Sequence, residues 1–243
     1  MRRHIVIGDI HGMLDALIDL LSRVDLSKDD TLILVGDLLD KGPNPVGVVT
    51  YLMNLRNDGY DIRLTLGHHE HKHARYRRAI HDGRDTSNFK GLKELKSITS
   101  LLTDAEIQFL EMAELYHVLP DHKGVVIHAG VSPRHNRLHT LQEVSTMDRH
   151  RREKAMSVTF IRYVDPDGRW VQLGKEQDED RYWADIYDGR FGHIYFGHEA
   201  FEDAEFPVQF PHATGMDLGA VYGNRLAAAV ITDQGVEFVT TKI

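Results

Sequence analysis

Five short β-rich runs in this chain each break off where an aspartate or histidine stands within two residues of a glycine. The endings are Gly8-Asp9-Ile10-His11-Gly12, Gly36-Asp37-Leu38-Leu39-Asp40-Lys41-Gly42, Gly67-His68-His69-Glu70, His128-Ala129-Gly130 and Gly197-His198-Glu199. The first three runs, His4–Ile7, Thr31–Val35 and Asp61–Leu66, alternate with segments whose apolar residues recur at helical spacing. Leu14, Leu17, Ile18, Leu21 and Val24 mark one such segment; Val46 to Leu55, entered through Pro43 and Pro45 and stopped at Gly59, marks the next. Strands joined by helical crossovers pair in parallel with right-handed connections, and ligands then collect beyond the carboxyl ends of the strands. A single Asp-Gly or Gly-His pair is ordinarily a turn or a helix cap. Five of them at one sheet edge predict a site.

The remaining chain predicts less. Residues 71–115 read as a polar helical insertion whose last helix opens on the capping pattern Thr103 to Glu106. An extended stretch at Tyr116–Leu119, a turn at Asp121–Gly124 and a strand at Val125–Ile127 follow, then a turn at Asp165–Gly168, a short helix at Arg181–Tyr187 and a strand at His193–Phe196. Leu226–Thr232 and Val236–Thr241, flanking Asp233-Gln234-Gly235, predict an antiparallel hairpin. With no repeat or linker in view, residues 1–243 read as a single domain.

Composition narrows the chemistry. There is no cysteine, so any metal must be held by nitrogen and oxygen. The net charge of -8 argues against bulk binding to nucleic acid or anionic lipid. Residues 71–96 run against that trend with eight bases and three acids, and form the best candidate surface for a polyanionic substrate. No stretch approaches the roughly 20 apolar residues that span a bilayer, and the three apolar residues before Gly8 do not make a secretory leader, so a cytoplasmic protein is expected. Aspartate and histidine together are a ligand set for divalent transition metals. A carboxylate can bridge two ions, and two ions roughly 3.5–4 Å apart form a clamp for in-line displacement at phosphorus.

The blocks GDIHG, GDLLDKG, GHHE, HAG and GHE, in that order, resemble the signature of the calcineurin-like metallophosphoesterases, in particular the branch shared by phosphoprotein phosphatases and symmetrical diadenosine tetraphosphate hydrolases. Tyr187-Asp188-Gly189-Arg190, Ile194 to His198, and Gly215 to Gly223 look like bacterial and phage members of that branch. The resemblance implies an α/β fold, a four-layer αββα sandwich of two mixed β-sheets. It also implies two divalent metal ions, drawn from Mn, Fe, Zn, Co or Ni. Asp9 and His11 would bind the first ion, Asp37 would bridge, and His68, His128 and His198 would bind the second. His69 matches the family's catalytic histidine, oriented by Asp40. Hydroxide generated on the metals at neutral pH would serve as nucleophile, with His69 protonating the leaving oxygen.

Two positions depart from the family pattern. His68 stands where asparagine is usual, which favours borderline ions such as zinc, iron or cobalt over magnesium; an exchange of roles between His68 and His69 stays open. Lys41 stands where arginine is usual, keeping charge but losing the planar fork. As the substrate-binding lysine it needs help, and Arg149, Arg151, Arg152 and Arg162 are the candidates. Glu70 reads as support for the site, and His71 and His73 as non-ligands. The expected activity is a metal-dependent phosphatase of broad or phosphoprotein specificity, with a phosphorylated protein or a nucleotide as substrate. Alternatives are a symmetrical diadenosine tetraphosphate hydrolase, an RNA-end or cap phosphohydrolase, and a catalytically dead metal-fold binding module.

Overall fold

The computed structural model describes residues 2–243 and contains two five-stranded mixed sheets. In the first, β12 (Gly235–Lys242), β11 (Arg225–Thr232), β1 (His4–Ile7), β2 (Thr31–Leu34) and β3 (Asp61–Leu64) lie in that order. Strands β1, β2 and β3 are parallel, in register His4 with Thr31 and Thr31 with Asp61, while β11 runs antiparallel to β1. In the second sheet the order is β4 (Tyr116–Leu119), β5 (Gly124–Ile127), β8 (His193–Phe196), β10 (Ala213–Gly215) and β9 (Val208–Gln209). Strands β6 (Tyr163–Val164) and β7 (Arg181–Tyr182) form a separate small pair.

Alternation along the strands explains the layering. Val6, Ile33, Ala227 and Ala229 of the first sheet share an apolar cluster with Val126, Tyr195 and Met216 from the second sheet and its edge, so these inner faces pack on each other. Ile5, Ile7, Leu32 and Leu34 point the other way and cluster with Leu17 and Leu20 of α1 (Leu14–Arg23) and Val48 and Leu52 of α2 (Pro45–Asn57). On the far side Phe196 meets Trp183 of α8 (Trp183–Ile186) edge to face, 4.8 Å between centroids. Covering both faces is why β1 and β2 read as unbroken apolar runs. The expected sandwich of two mixed sheets is observed.

The segment 71–115 is helical as expected, but its first helix starts earlier. α3 (His68–His81) begins on the histidine block itself, followed by α4 (Leu92–Leu101) and α5 (Asp104–Leu110) with the capping box Thr103/Glu106 in place. Two short helices, α6 (Leu141–Ser145) and α7 (Arg149–Met156), lie between β5 and β6. The helix expected at Arg181–Tyr187 is shorter: Arg181 and Tyr182 pair with Val164 and Tyr163 as a strand, and helix starts only at Trp183. Among the described residues, no helix is long and apolar enough to cross a membrane.

Candidate metal centre

All five strand-end blocks converge at the carboxyl edges of the two sheets. Asp9 and His11 follow β1, Asp37 follows β2, and His68 opens α3 after β3; His128 follows β5 and His198 follows β8. Close backbone approach makes the convergence possible. A Cβ on Gly197 would fall 1.9 Å from Asp9 Oδ1, and one on Gly67 would fall 2.2 Å from Asp37 Oδ1, so only glycine admits these side chains. Among the described residues, seven non-glycine residues have positive φ, and five of them belong to the site: His11, Asp37, Asp40, Lys41 and His198, at φ of 43° to 71°. Such backbone persists only where surrounding contacts over-determine it, and it collects at functional sites.

Part of that over-determination comes from Glu70 in the first turn of α3. Its Oε2 accepts from the backbone N–H of Asp37 (2.8 Å), and Oε1 from those of Leu38 (2.8 Å) and Leu39 (3.2 Å). The α3 N-terminus in turn donates the His69 N–H to Asp37 Oδ1 at 3.0 Å, favourable for an anion at a helix start. Glu70 thus supports the site, as expected.

The donors fall into two groups that share Asp37. In the first, His68 Nδ1 lies 3.1 Å from His128 Nε2, 3.2 Å from His198 Nδ1 and 3.0 Å from Asp37 Oδ2. Donors on one ion with bonds of about 2.0–2.1 Å sit roughly 2.9–3.4 Å apart, which is this spacing. In the second, His11 Nε2 and His69 Nε2 lie 3.6 and 3.9 Å from the same Asp37 Oδ2. Asp9 stands outside both groups; its Oδ2 accepts from the His198 N–H at 3.0 Å.

Three observations fit a cation. Asp9 Oδ1 and Asp37 Oδ2 are buried with no hydrogen-bond partner, a costly state for carboxylate oxygens unless positive charge is supplied. The distal ring nitrogens are already oriented: His11 Nδ1 and His128 Nδ1 donate to the carbonyls of Leu39 (2.8 Å) and Val35 (2.9 Å), turning each Nε2 inwards, the orientation metal-binding imidazoles require. Burial pushes His11 and His68 down to about 4, and His198 also down, keeping them neutral near pH 7. Burial also raises the carboxyls of Asp9, Glu70 and Asp217, and neighbouring acids push each of them further up. For His128 burial is outweighed by Asp37, Asp9 and Glu70, which hold the imidazole up at about 9. The site draws positive charge in, and the donor set of imidazole and carboxylate suits a borderline divalent ion.

Beside the donors, His69 Nδ1 donates to Asp40 Oδ2 at 2.5 Å. Asp40 is held well below the usual carboxylate range: burial opposes ionisation, but hydrogen bonds from His69, His73 (Nε2 to Oδ1, 2.8 Å) and Lys72 outweigh it. His73 supports this dyad and is itself anchored by Thr99 at 2.7 Å. Lys41 Nζ lies 3.1 Å from His11 Nε2 and donates to the Tyr222 hydroxyl at 3.0 Å.

A cavity of about 610 Å³ opens over the donors. Of the four candidate arginines only Arg162 lines it, with Nη2 donating to the His198 carbonyl at 3.0 Å and Nε paired with Glu199. Arg149, Arg151 and Arg152 sit on α7 facing solvent. The basic segment 71–96 contributes nothing to the cavity wall, correcting the expectation that it meets the substrate: Lys72 is spent on Asp40, and Arg77 pairs with Glu111 on the surface. Sequence reasoning missed Asp217, Tyr222, Glu176 and Glu202 on the wall. Asp217 is an acid at a sixth strand end, two residues past Gly215, and that spacing was the one available signal.

A double-sheet sandwich with carboxylates and imidazoles gathered at its strand ends is a scaffold for metal-dependent hydrolysis. The calcineurin-like phosphoesterase model matches residues 3–213, and the chain belongs to that family. It is 29% identical over 241 residues to an asymmetrical bis(5'-nucleosyl)-tetraphosphatase of Bacillus velezensis, PrpE, across 91% of this chain and 86% of the relative. A symmetrical bis(5'-nucleosyl)-tetraphosphatase of Hamiltonella defensa is 35% identical over 134 residues, 53% of this chain and 44% of that protein. A solved structure provisionally described as a diadenosine tetraphosphatase superposes with a TM-score of 0.72 at 27% identity, covering 98% of this chain and 93% of the other. A Saccharomyces cerevisiae serine/threonine phosphatase, at 15% identity and a TM-score of 0.65, shares the fold.

Proposed function

We propose that this chain hydrolyses the polyphosphate bridge of dinucleoside tetraphosphates at a two-cation centre held by Asp9, His11, Asp37, His68, His128 and His198. The observation that carries the reading is the convergence of His68, His128 and His198 on one side of Asp37 and of His11 on the other, with Asp37 Oδ2 and the nearby Asp9 Oδ1 buried and unpartnered. The nucleotide class is supported by relatives named as tetraphosphatases that match most of the chain, and the earlier preference for a phosphoprotein substrate gives way to it. The match across 91% of the chain is to an asymmetrical enzyme, which favours unequal cleavage, into a nucleoside triphosphate and a monophosphate, over two diphosphates.

Divalent ions, when bound, neutralise phosphoryl oxygens and lower the pKa of coordinated water towards neutrality. The protein's own residues do the rest. Asp40 accepts from His69 Nδ1 and orients the ring so that Nε2 faces the donor cluster, where the imidazolium form would give its Nε2 proton to the departing phosphate oxygen. Glu70 fixes the Asp37 loop. Lys41 and Arg162 bring positive charge to the cavity wall, where the polyphosphate would lie.

Parallel turnover of diadenosine tetraphosphate, a phosphothreonine peptide and para-nitrophenyl phosphate, each with added manganese, tests the reading. Diadenosine tetraphosphate should be preferred, with ATP and AMP as products. Preference for the phosphopeptide would overturn the substrate class, and inactivity towards all three with metal bound would return the chain to a binding role.

A further inference from the structure

Two of the exposed large apolar side chains, Tyr222 and Leu173, line the cavity, and the chemistry above gives neither a task. Tyr222 is 55% exposed and Leu173 67% exposed. Tyr222 ends the 3-10 turn Ala220–Tyr222, which is bracketed by Gly219 and Gly223, both left-handed at φ 71° and 91°. Its position relative to the donors is fixed at the hydroxyl: Lys41 Nζ spans from His11 Nε2, 3.1 Å, to the Tyr222 oxygen, 3.0 Å. The ammonium stands towards the hydroxyl end of the ring, 5.2 Å from its centroid. An aromatic surface is therefore tethered beside the metal donors and left half open to the cavity.

Charge sorts the cavity wall. Lys41 and Arg162 are its cations, while Glu176, Glu199, Glu202 and Asp217 are its acids beyond the donors. The stem of Glu202 packs against Gly219, where a Cβ would meet Glu202 Cγ at 2.8 Å, so this acid borders the Tyr222 turn. Phosphates are drawn to Lys41 and Arg162 and repelled from the acidic stretch of the wall. An uncharged, flat, apolar group is not, and buries both itself and the exposed ring by stacking there.

We infer that Tyr222, with Leu173, forms a nucleobase subsite: one base of the substrate stacks at this wall while its phosphates run towards Lys41, Arg162 and the donors. This rests on the nucleotide reading above and adds the residues that hold the base. Because every base has a π-face, the subsite tolerates different nucleosides and discriminates against substrates without one.

The test compares KM for diadenosine tetraphosphate with KM for inorganic tripolyphosphate, which has no base, on the manganese-loaded wild type, Tyr222→Leu and Tyr222→Phe. In Tyr222→Leu the KM ratio of dinucleotide to tripolyphosphate should rise on the order of 10- to 100-fold, and Tyr222→Phe, which keeps the ring, should bring it back towards wild type. An unchanged ratio in Tyr222→Leu overturns the subsite while leaving the nucleotide reading intact. A wild type that cleaves tripolyphosphate but not the dinucleotide overturns both. Leu173→Ser, at an exposed position with little weight in folding, provides a second reading: its ratio should rise in the same direction, and a fall would count against the subsite.

Discussion

Replacing Glu70 by glutamine tests whether the left-handed Asp37 loop is held from α3. The carboxylate accepts three backbone N–H groups, two on Oε1 and one on Oε2. Glutamine can keep the pair at Leu38 and Leu39 on its one carbonyl oxygen, but its NH2 then faces the Asp37 N–H. One hydrogen bond to a charged acceptor, about 1.5–3 kcal/mol, is lost, and a buried N–H is left unsatisfied at about 1–3 kcal/mol. Against this stands relief from burying a charge beside Asp37, which already pushes the Glu70 carboxyl up. The net expectation is a loss of about 2–3 kcal/mol, or a melting point lower by roughly 5–10 °C for a chain of this size. Metal affinity should fall about 10- to 100-fold, the usual effect of removing a group that orients ligands. Differential scanning calorimetry and manganese titration read the two effects. If the melting point and the affinity both match wild type, the loop is held by something else, and the role given to Glu70 is wrong.

Three further outcomes follow from the site and the core. Asp37→Asn should abolish both activity and stoichiometric metal binding, whereas His69→Ala should retain the metal and lose about 100- to 10,000-fold in kcat; metal analysis beside kinetics separates the two and would expose an exchange of roles between His68 and His69. His68→Asn should shift preference towards magnesium, read as the ratio of activities with magnesium and zinc, and an unmoved ratio would contradict coordination by His68. His4 packs edge to face on His122 at 5.5 Å with Nδ1 buried and unpartnered, and burial, then His122 and Arg63, push its pKa down against the pull of Asp121. The folded state therefore takes up this proton less readily than the unfolded chain, so stability should fall as pH drops through 6.5, and melts of His4→Phe should show a shallower slope there.

The site was legible where a ligand stands directly against the glycine that ends its strand, because that pairing fixes both the turn and the direction of the side chain. Asp9, Asp37, His68 and His198 are of this kind. Asp217 was not, since Met216 separates it from Gly215 and strand β10 is only three residues long. Arg162 could not be told from Arg149, Arg151 and Arg152 because its place depends on the pairing of β6 with β7, partners about twenty residues apart. The same pairing turned the expected start of a helix at Arg181 into strand. The basic run at 71–96 misled for a different reason: net charge says nothing about which face of a helix meets the cavity. Left-handed backbone at Asp40, Lys41 and His198 left no mark at all, because the compensating contacts lie in other segments.

Donors reach the centre from both sheets, Asp9, His11, Asp37 and His68 from one and His128 and His198 from the other. The distance between them is consequently gauged by the apolar layer in the middle of the sandwich, where Ala227 and Ala229 of β11 lie fully buried among Val6, Val126 and Tyr195. Those small side chains act as shims. A bulkier residue there would jack the sheets apart, and a mutation on no loop and near no ligand would retune the chemistry by changing the bore in which the ions must fit.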